Sequence, residues 1–168
     1  KAFREVLGLI LFFTVAITLV GILFSWQLSK LFAPGFENIP GKLEMSADMM
    51  AIMFPYVILV SILAMFCAAL NALGSFGKPA MSQTWLNVCL IAGVFASPLF
   101  SPAIYSQAWA IVIGGLIVLI PLGIDLRKKG FSLVPASPLG SPAVRKLSKL
   151  MVPTVLSASL YQFMIFIN

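Results

Sequence analysis

Charged residues are scarce in this sequence, and histidine is absent. Asp, Glu, Lys and Arg make up only 10% of the 168 residues, whereas soluble globular domains have about 25%. Hydrophobic residues make up 61%. The composition therefore excludes an ordinary soluble domain. The lack of histidine also excludes histidine-based acid–base catalysis and histidine metal ligation within this stretch.

Cysteine is nearly absent as well. Cys67 and Cys89 lie far apart, each within an apolar run. This setting favours packing as small hydrophobic side chains over a disulfide or a metal site. The sequence also has no paired carboxylates, no phosphate-binding glycine loop and no Cys/His cluster. We therefore expect no catalytic residues, no metal site and no cofactor.

Long apolar runs fill most of the chain instead, and none has an ionisable residue in its central stretch. At 1.5 Å per residue, a helix of about 20 apolar residues crosses a hydrocarbon core of about 30 Å. Lipid offers no hydrogen-bond partners to an open backbone, so such runs must be helical. The sequence predicts an all-α, polytopic transmembrane helical bundle in a single segment, 1–168, with spans at 6–28, 49–73, 85–100, 108–124 and 151–167.

The two ends of the sequence indicate a longer parent protein. The chain begins at Lys1 rather than Met, and its last apolar run continues to Asn168 without a charged residue after it. We therefore expect an internal fragment whose packing partners include the remaining helices of the same chain.

The basic residues are distributed unequally between alternate connections. Residues 1–5, 74–84 and 125–150 contain nine of the eleven Lys and Arg residues, and the other side has only Lys30 and Lys42. Because Lys and Arg accumulate in cytoplasmic loops, we predict that those three stretches are cytoplasmic. The net charge of +6 then reflects membrane topology, and we expect no nucleic-acid partner.

Most of the cytoplasmic charge follows the fourth run. It comprises Arg127, Lys128, Lys129, Arg145, Lys146 and Lys149. Ser141 and Pro142 resemble an N-cap and a first helical residue, so residues 143–150 are predicted to form a short amphipathic helix on the inner leaflet. The alternative is a basic loop that only fixes the topology.

Small and polar residues within the spans recur at helical spacing. In the first span Thr14, Thr18, Gly21 and Ser25 share a face. The second span has a similar stripe, and we assign both stripes to helix packing. The second stripe comprises Ser61, Ala64 and Ala68, with Asn71 beside it. Proline occurs within three spans, at Pro55, Pro121 and Pro153, where a missing N–H favours a kink.

The fifth span has the most polar face. Thr154, Ser157, Tyr161 and Asn168 lie within about 80° of arc at 3.6 residues per turn, and Gln162 lies about 100° from them. Because a Tyr and an Asn are costly against lipid, this face is predicted to line either a cavity or partner helices.

Several local patterns together resemble the MurJ (MviN) family of lipid II flippases, within the multidrug, oligosaccharidyl-lipid and polysaccharide exporter superfamily. They occur in the same order over nearly the whole chain: Ala33-Pro34-Gly35-Phe36, Phe54-Pro55-Tyr56, Leu70-Asn71 with Phe76, Pro79-Ala80 and Leu86-Asn87, Ala108-Trp109-Ala110 with Gly114-Gly115, and Pro153, Gln162 and Ile167-Asn168. Ser75 and Gln83 depart from the pattern, since many relatives have arginine and proline there.

The resemblance implies a function. The fragment would correspond to the third to seventh of fourteen helices in a two-lobe transporter that works by alternating access. Such flippases carry the undecaprenyl-pyrophosphate-linked peptidoglycan precursor, lipid II, from the inner to the outer leaflet of the bacterial cytoplasmic membrane. Within such a transporter, the polar residues of the fifth span are the expected cavity-lining residues: Thr154, Ser157, Tyr161, Gln162 and Asn168. The main cationic substrate site would lie in helices outside this chain.

The sequence leaves three alternative functions to consider. The chain fits a polysaccharide-unit or drug exporter of the same superfamily, or a non-transporting scaffold for cell-envelope assembly. A membrane-embedded enzyme acting on prenyl phosphates would need an acidic or metal-binding cluster, but Glu5 and Asp125 are the only acids on the predicted inner side. We therefore expect a transporter rather than an enzyme, with lipid II and membrane lipids as partners.

Overall fold

The computed structural model describes the backbone of residues 1–167 and most side chains; the side chains of residues 152, 154, 158, 161–163 and 165–167, and all of residue 168, lie outside the description. The described residues form α1 (Ala2–Leu23), α2 (Ser25–Phe32), α3 (Lys42–Met53), α4 (Tyr56–Ala72), α5 (Gly77–Phe95), α6 (Tyr105–Lys128) and α7 (Pro142–Ile167). Two short 3-10 turns, Pro34–Asn38 and Ser97–Leu99, join helices. Within the described backbone there is no strand, so the all-α prediction is confirmed.

Among the described residues, three helical stretches are long and apolar enough to cross a membrane: Ala2–Leu23, Lys42–Ala72 and Tyr105–Lys128. They overlap the first, second and fourth predicted spans. The prediction of an all-α membrane protein is therefore confirmed. Whether α5 and α7 also cross the bilayer, and hence the count of five spans, stays a prediction.

The helices begin earlier than the apolar runs that predicted them. Residues 42–48, expected within an outer connection, form the first half of α3, because Leu43 and Ala47 are buried against the rest of the chain. Likewise, α5 begins at Gly77 rather than at residue 85. Helical hydrogen bonding thus continues through polar residues that have no apolar periodicity.

Proline lies at a helix break in one of the three spans in which it was predicted to favour a kink, and the kinks at the other two stay a prediction. The break between α3 and α4 falls at Phe54 and Pro55, where proline removes a backbone donor. Helices α6 and α7 continue through Pro121 and Pro153.

The chain divides into two compact units, which are described separately. The first unit comprises Lys1–Leu9 and Val134–Asn168, and the second comprises Ile10–Leu133.

Helix α6 is the centre of the second unit. It packs against α3, α4 and α5, and its buried residues include Ala108, Ala110, Val118, Leu122 and Leu126. Two adjacent glycines face two different neighbours, as consecutive helical residues point about 100° apart. A Cβ on Gly114 would lie 2.9 Å from Cys89 Cβ of α5, and a Cβ on Gly115 would lie 3.0 Å from the Tyr56 ring of α4.

Helix α1 contacts the α3–α4 break through two residues of its predicted packing face. The Thr18 hydroxyl donates to the Phe54 carbonyl oxygen at 3.3 Å. The Phe54 ring occupies the space that a Cβ on Gly21 would need. The packing role predicted for this face is therefore confirmed at Thr18 and Gly21.

Replacing Gly93 with Ala tests the close approach of α5 and α6. The new Cβ would lie 2.5 Å from Ala110 Cβ, which cannot move without a shift of the α6 backbone. We expect Gly93→Ala to lower the free energy of unfolding by about 1–3 kcal/mol, as overpacking does in other cores. The measurement is the denaturation midpoint of the full-length protein in detergent.

Gly77→Ala is the matched control, because a Cβ on this first residue of α5 has open space around it. Equal midpoints for the two variants would contradict the packing described here.

Candidate functional site

An ion pair joins α5 and α6 at one end of the second unit. Lys78 Nζ lies 2.6 Å from Asp125 Oδ1, and the two side chains are 50% and 17% exposed. Lys78 is in the first turn of α5 and Asp125 is in the last turn of α6. The two connections predicted to be cytoplasmic therefore meet at the same end. Sequence reasoning did not predict this pair, although Asp125 was visible as a single acid followed by three cations.

A hydrogen bond marks the opposite end of α6. The Tyr105 hydroxyl donates to Asp48 Oδ2 of α3 at 3.1 Å. Tyr105 begins a helix of 24 residues, so about 36 Å of helix separates its two ends. Asp48 belongs to the connection predicted to face outward. The two polar contacts are thus about one bilayer thickness apart.

The outer connection contains two further contacts of charged side chains. Lys30 Nζ lies 2.9 Å from Glu37 Oε1, with both groups well exposed. Lys42 Nζ lies 4.6 Å from the centroid of the Phe36 ring, a distance suited to a cation–π interaction. Exposed pairs of this kind contribute at most about 1 kcal/mol each, so they orient the connection more than they stabilise it.

The six basic residues predicted to form the cytoplasmic face after the fourth span are all exposed. In the second unit they follow Asp125 at the end of α6, and in the first unit they lie on α7: Arg127, Lys128 and Lys129, and Arg145, Lys146 and Lys149. Exposure is what contact with water or lipid headgroups requires. Each unit therefore has its own group of three cations.

In the first unit, residues 134–141 are bonded to the first turns of α1. Arg4 Nε donates to the Val134 carbonyl at 2.8 Å, and the Ala136 amide donates to the Arg4 carbonyl at 2.9 Å. The Ser141 hydroxyl donates to Glu5 Oε2 at 2.6 Å. Gly8 permits this arrangement, because the Ala136 carbonyl occupies the place of a Cβ.

Ser141 also caps α7. Its Oγ accepts a bond from the Val144 amide at 3.3 Å, three residues along the helix that Pro142 begins. The predicted N-cap and first helical residue are confirmed. The predicted amphipathic stretch is continuous with the rest of α7 rather than a separate short helix.

The small-residue stripe of α4 points away from the helices described here. Ser61 is partly buried and its hydroxyl donates within the helix to the Val57 carbonyl at 2.7 Å, while Ala64, Ala68 and Asn71 are exposed. Helix α4 buries Phe66 and Leu70 instead. The packing role of the stripe therefore stays a prediction about other helices.

Of the five predicted cavity-lining residues of α7, the structure describes the side chain of Ser157. Ser157 is exposed, and its hydroxyl donates to the Pro153 carbonyl at 2.9 Å. The side chains of Thr154, Tyr161 and Gln162, and all of Asn168, lie outside the described residues. Their role in a cavity stays a prediction.

Comparison with known families identifies the chain. The family model described as lipid II flippase MurJ matches residues 1–168. The chain belongs to the lipid II flippase MurJ family. Its resemblance to that family is therefore confirmed, and the family is named for flippases, which are transporters. With the three apolar helices, membership identifies a protein of the cytoplasmic membrane.

Relatives in the MurJ family align with nearly the whole chain. The probable lipid II flippase MurJ of Buchnera aphidicola subsp. Acyrthosiphon pisum is 35% identical over 165 residues, which are 98% of this chain and 32% of that protein. The lipid II flippase MurJ of Burkholderia cenocepacia is 30% identical over 175 residues, covering 100% of this chain and 34% of that protein. The chain thus spans about a third of the length of these relatives.

Replacing Ser141 tests how residues 134–141 are held. Ser141→Ala removes both the N-cap of α7 and the bond to Glu5, and loss of a cap typically costs about 1 kcal/mol. We expect amide hydrogen exchange in residues 134–146 to accelerate about fivefold in the full-length protein, because 1.4 kcal/mol corresponds to a factor of ten.

Ser148→Ala serves as the control, since Ser148 is an exposed residue of the same helix. Equal exchange rates in the two variants would contradict the role of Ser141 in holding residues 134–141 against α1.

Proposed function

We propose that this chain is part of a lipid II flippase, whose full-length protein moves the lipid-linked peptidoglycan precursor from the inner to the outer leaflet by alternating access. The observation that carries the proposal is the match of the whole chain to the MurJ family. Lipid II and the surrounding membrane lipids are the proposed partners, together with the remaining helices of the parent protein.

The chemistry of such a cargo agrees with the character of this chain. A diphosphate head group cannot cross about 30 Å of hydrocarbon unaided, because burying even one charge is expensive. A flippase must therefore provide a polar cavity for the head group while the isoprenoid tail remains in lipid. The apolar helices here suit the scaffold and one wall of such a cavity, and the main cationic site belongs to other helices.

In this proposal α7 forms the cavity wall. Thr154, Ser157, Tyr161, Gln162 and Asn168 would give neutral hydrogen-bonding groups beside the cations of other helices. The exposure of Ser157 supports this placement.

The proposed orientation has residues 1–5, 74–84 and 125–150 in the cytoplasm. The unequal distribution of Lys and Arg supports it. The Lys78–Asp125 pair supports it independently, because it brings the second and third of these stretches to one end of the second unit. On this orientation Tyr105 and Asp48 face the outside.

Functional rescue is the direct test. The full-length parent would be expressed in a bacterium depleted of its own lipid II flippase, and growth would be scored together with the arrival of lipid II at the outer leaflet. We expect both to be restored. Failure despite confirmed membrane expression would contradict the proposal in favour of another exporter cargo or a non-transporting scaffold.

The same strain tests the cavity wall. Gln162→Leu and Asn168→Leu remove hydrogen-bonding groups, so we expect them to reduce lipid II arrival at equal expression. Leu160→Ala, an exposed apolar position on α7, is the control. Full lipid II transport by both leucine variants would contradict the proposal that Gln162 and Asn168 line the cavity.

A further inference from the structure

A groove runs between α5 and α6 in the second unit, with a volume of about 460 Å³. Its floor consists of Val118 and Leu122, which are 2% and 1% exposed. Met81 and Trp85 of α5 and Ile117 of α6 line it as exposed apolar side chains. The volume lies within the range of about 300–1,000 Å³ that is usual for small-molecule sites.

One end of this groove is cationic. Lys78 lines the groove and is held there by its ion pair with Asp125 at 2.6 Å. An ammonium group has three N–H donors, so this bond leaves donors available to a second anion. Three further cations follow Asp125 along the chain, and all are exposed: Arg127, Lys128 and Lys129. Positive charge therefore exceeds negative charge at this end.

The first turn of α5 adds to the positive potential. The residue before α5 is Phe76, which gives no side-chain hydrogen bond to the first-turn amides. Unpaired N–H groups and the helix dipole favour an anion at a helix N-terminus. Here this effect only supplements the lysine and the groove.

The geometry points to an anionic phospholipid of the cytoplasmic leaflet as the occupant, and we propose that α5 and α6 form a binding site for one. Its phosphate would lie at Lys78 and accept hydrogen bonds from the ammonium group. One acyl chain would lie in the apolar groove from Met81 to Trp85. Asp125 positions the lysine and does not itself bind the lipid.

Depth in the membrane agrees with this occupant. Lys78 and Trp85 are seven residues apart on α5, or about 10 Å along the helix. A lipid whose phosphate lies at Lys78 would thus have its upper acyl chain beside Trp85. Trp rings favour this level near the headgroups. A soluble anion would use the lysine but leave the apolar length of the groove empty, which favours an amphiphile.

The test measures lipid binding without transport, so its outcome is independent of the proposed function. Purified full-length protein in detergent would be titrated with phosphatidylglycerol or with phosphatidylcholine of the same acyl chains, and the lipids retained would be counted by native mass spectrometry. We expect one phosphatidylglycerol to bind at least about fivefold more tightly than phosphatidylcholine. Both lipids have an anionic phosphate, but the choline cation of phosphatidylcholine is repelled by the Lys78 ammonium group.

Two variants separate the charge from the groove. Lys78→Gln should remove the preference for phosphatidylglycerol, whereas Lys146→Gln, the same change at an exposed cation of the first unit, should retain it. Ile117→Trp should weaken the binding of both lipids, because the larger side chain fills the groove. Ile120→Trp should leave the binding of both unchanged, because Ile120 is an exposed α6 residue that does not line the groove.

Three results would overturn the proposal. They are equal retention of the two lipids by the unchanged protein, equal effects of Lys78→Gln and Lys146→Gln, and equal effects of the two tryptophan variants. The second would indicate attraction to diffuse surface charge, and the third would indicate contact outside the groove.

Discussion

The close contact of α6 with α4 and α5 depends on glycines, which leave no side chain between the helices. Lipid tails are as apolar as leucine, so contact between helices in a membrane gains little from the hydrophobic effect and depends on van der Waals packing. A side chain on Gly114 would collide with α5, and one on Gly115 would collide with α4. A side chain on Gly93 of α5 would collide with Ala110 of α6. Helix α6 is therefore in close contact with both α4 and α5.

This packing determines where the polar groups of the second unit lie. Because α5 and α6 are in close contact, Lys78 comes within 2.6 Å of Asp125. Because α3 also packs against α6, Asp48 comes within hydrogen-bond distance of Tyr105. A set of closely packed apolar helices with polar contacts at both ends suits the scaffold role proposed for it. The proposed lipid site is a groove in the surface of the same pair, α5 and α6.

The sequence predicts the helical class of this chain well and the helix boundaries less well. Apolar runs identify α6, because its apolar stretch continues almost to both ends. The apolar runs do not predict the first two turns of α5, where Lys78 and Gln83 interrupt the apolar pattern. Lys78 has a partner within this unit, since it pairs with Asp125 of α6. The contact between Lys78 and Asp125 spans 47 residues, so no local pattern could reveal it.

The choice of packing faces was harder to predict. In α4 the small residues Ala64 and Ala68 are exposed, and the large residue Phe66 is buried. The Phe66 ring lies 3.5 Å from the position that a Cβ on Gly123 of α6 would occupy. The small residue of this contact is therefore on α6 and not on α4. Periodicity alone cannot tell on which helix it lies. The cavity wall proposed for α7 would need partner helices from the rest of the protein, and these residues carry no information about them.

Disulfide cross-linking in membranes tests the packing of α6 most directly. Gly114→Cys would be paired with the native Cys89 in full-length protein with Cys67 replaced by Ala, and a protease site would be introduced into residues 96–104. The Cβ atoms are close enough for a disulfide after a small adjustment. We predict that, after oxidation and cleavage, the two halves stay joined for Gly114→Cys and separate for Ile113→Cys, an exposed neighbour on α6. Equal or stronger cross-linking from position 113 would contradict the account.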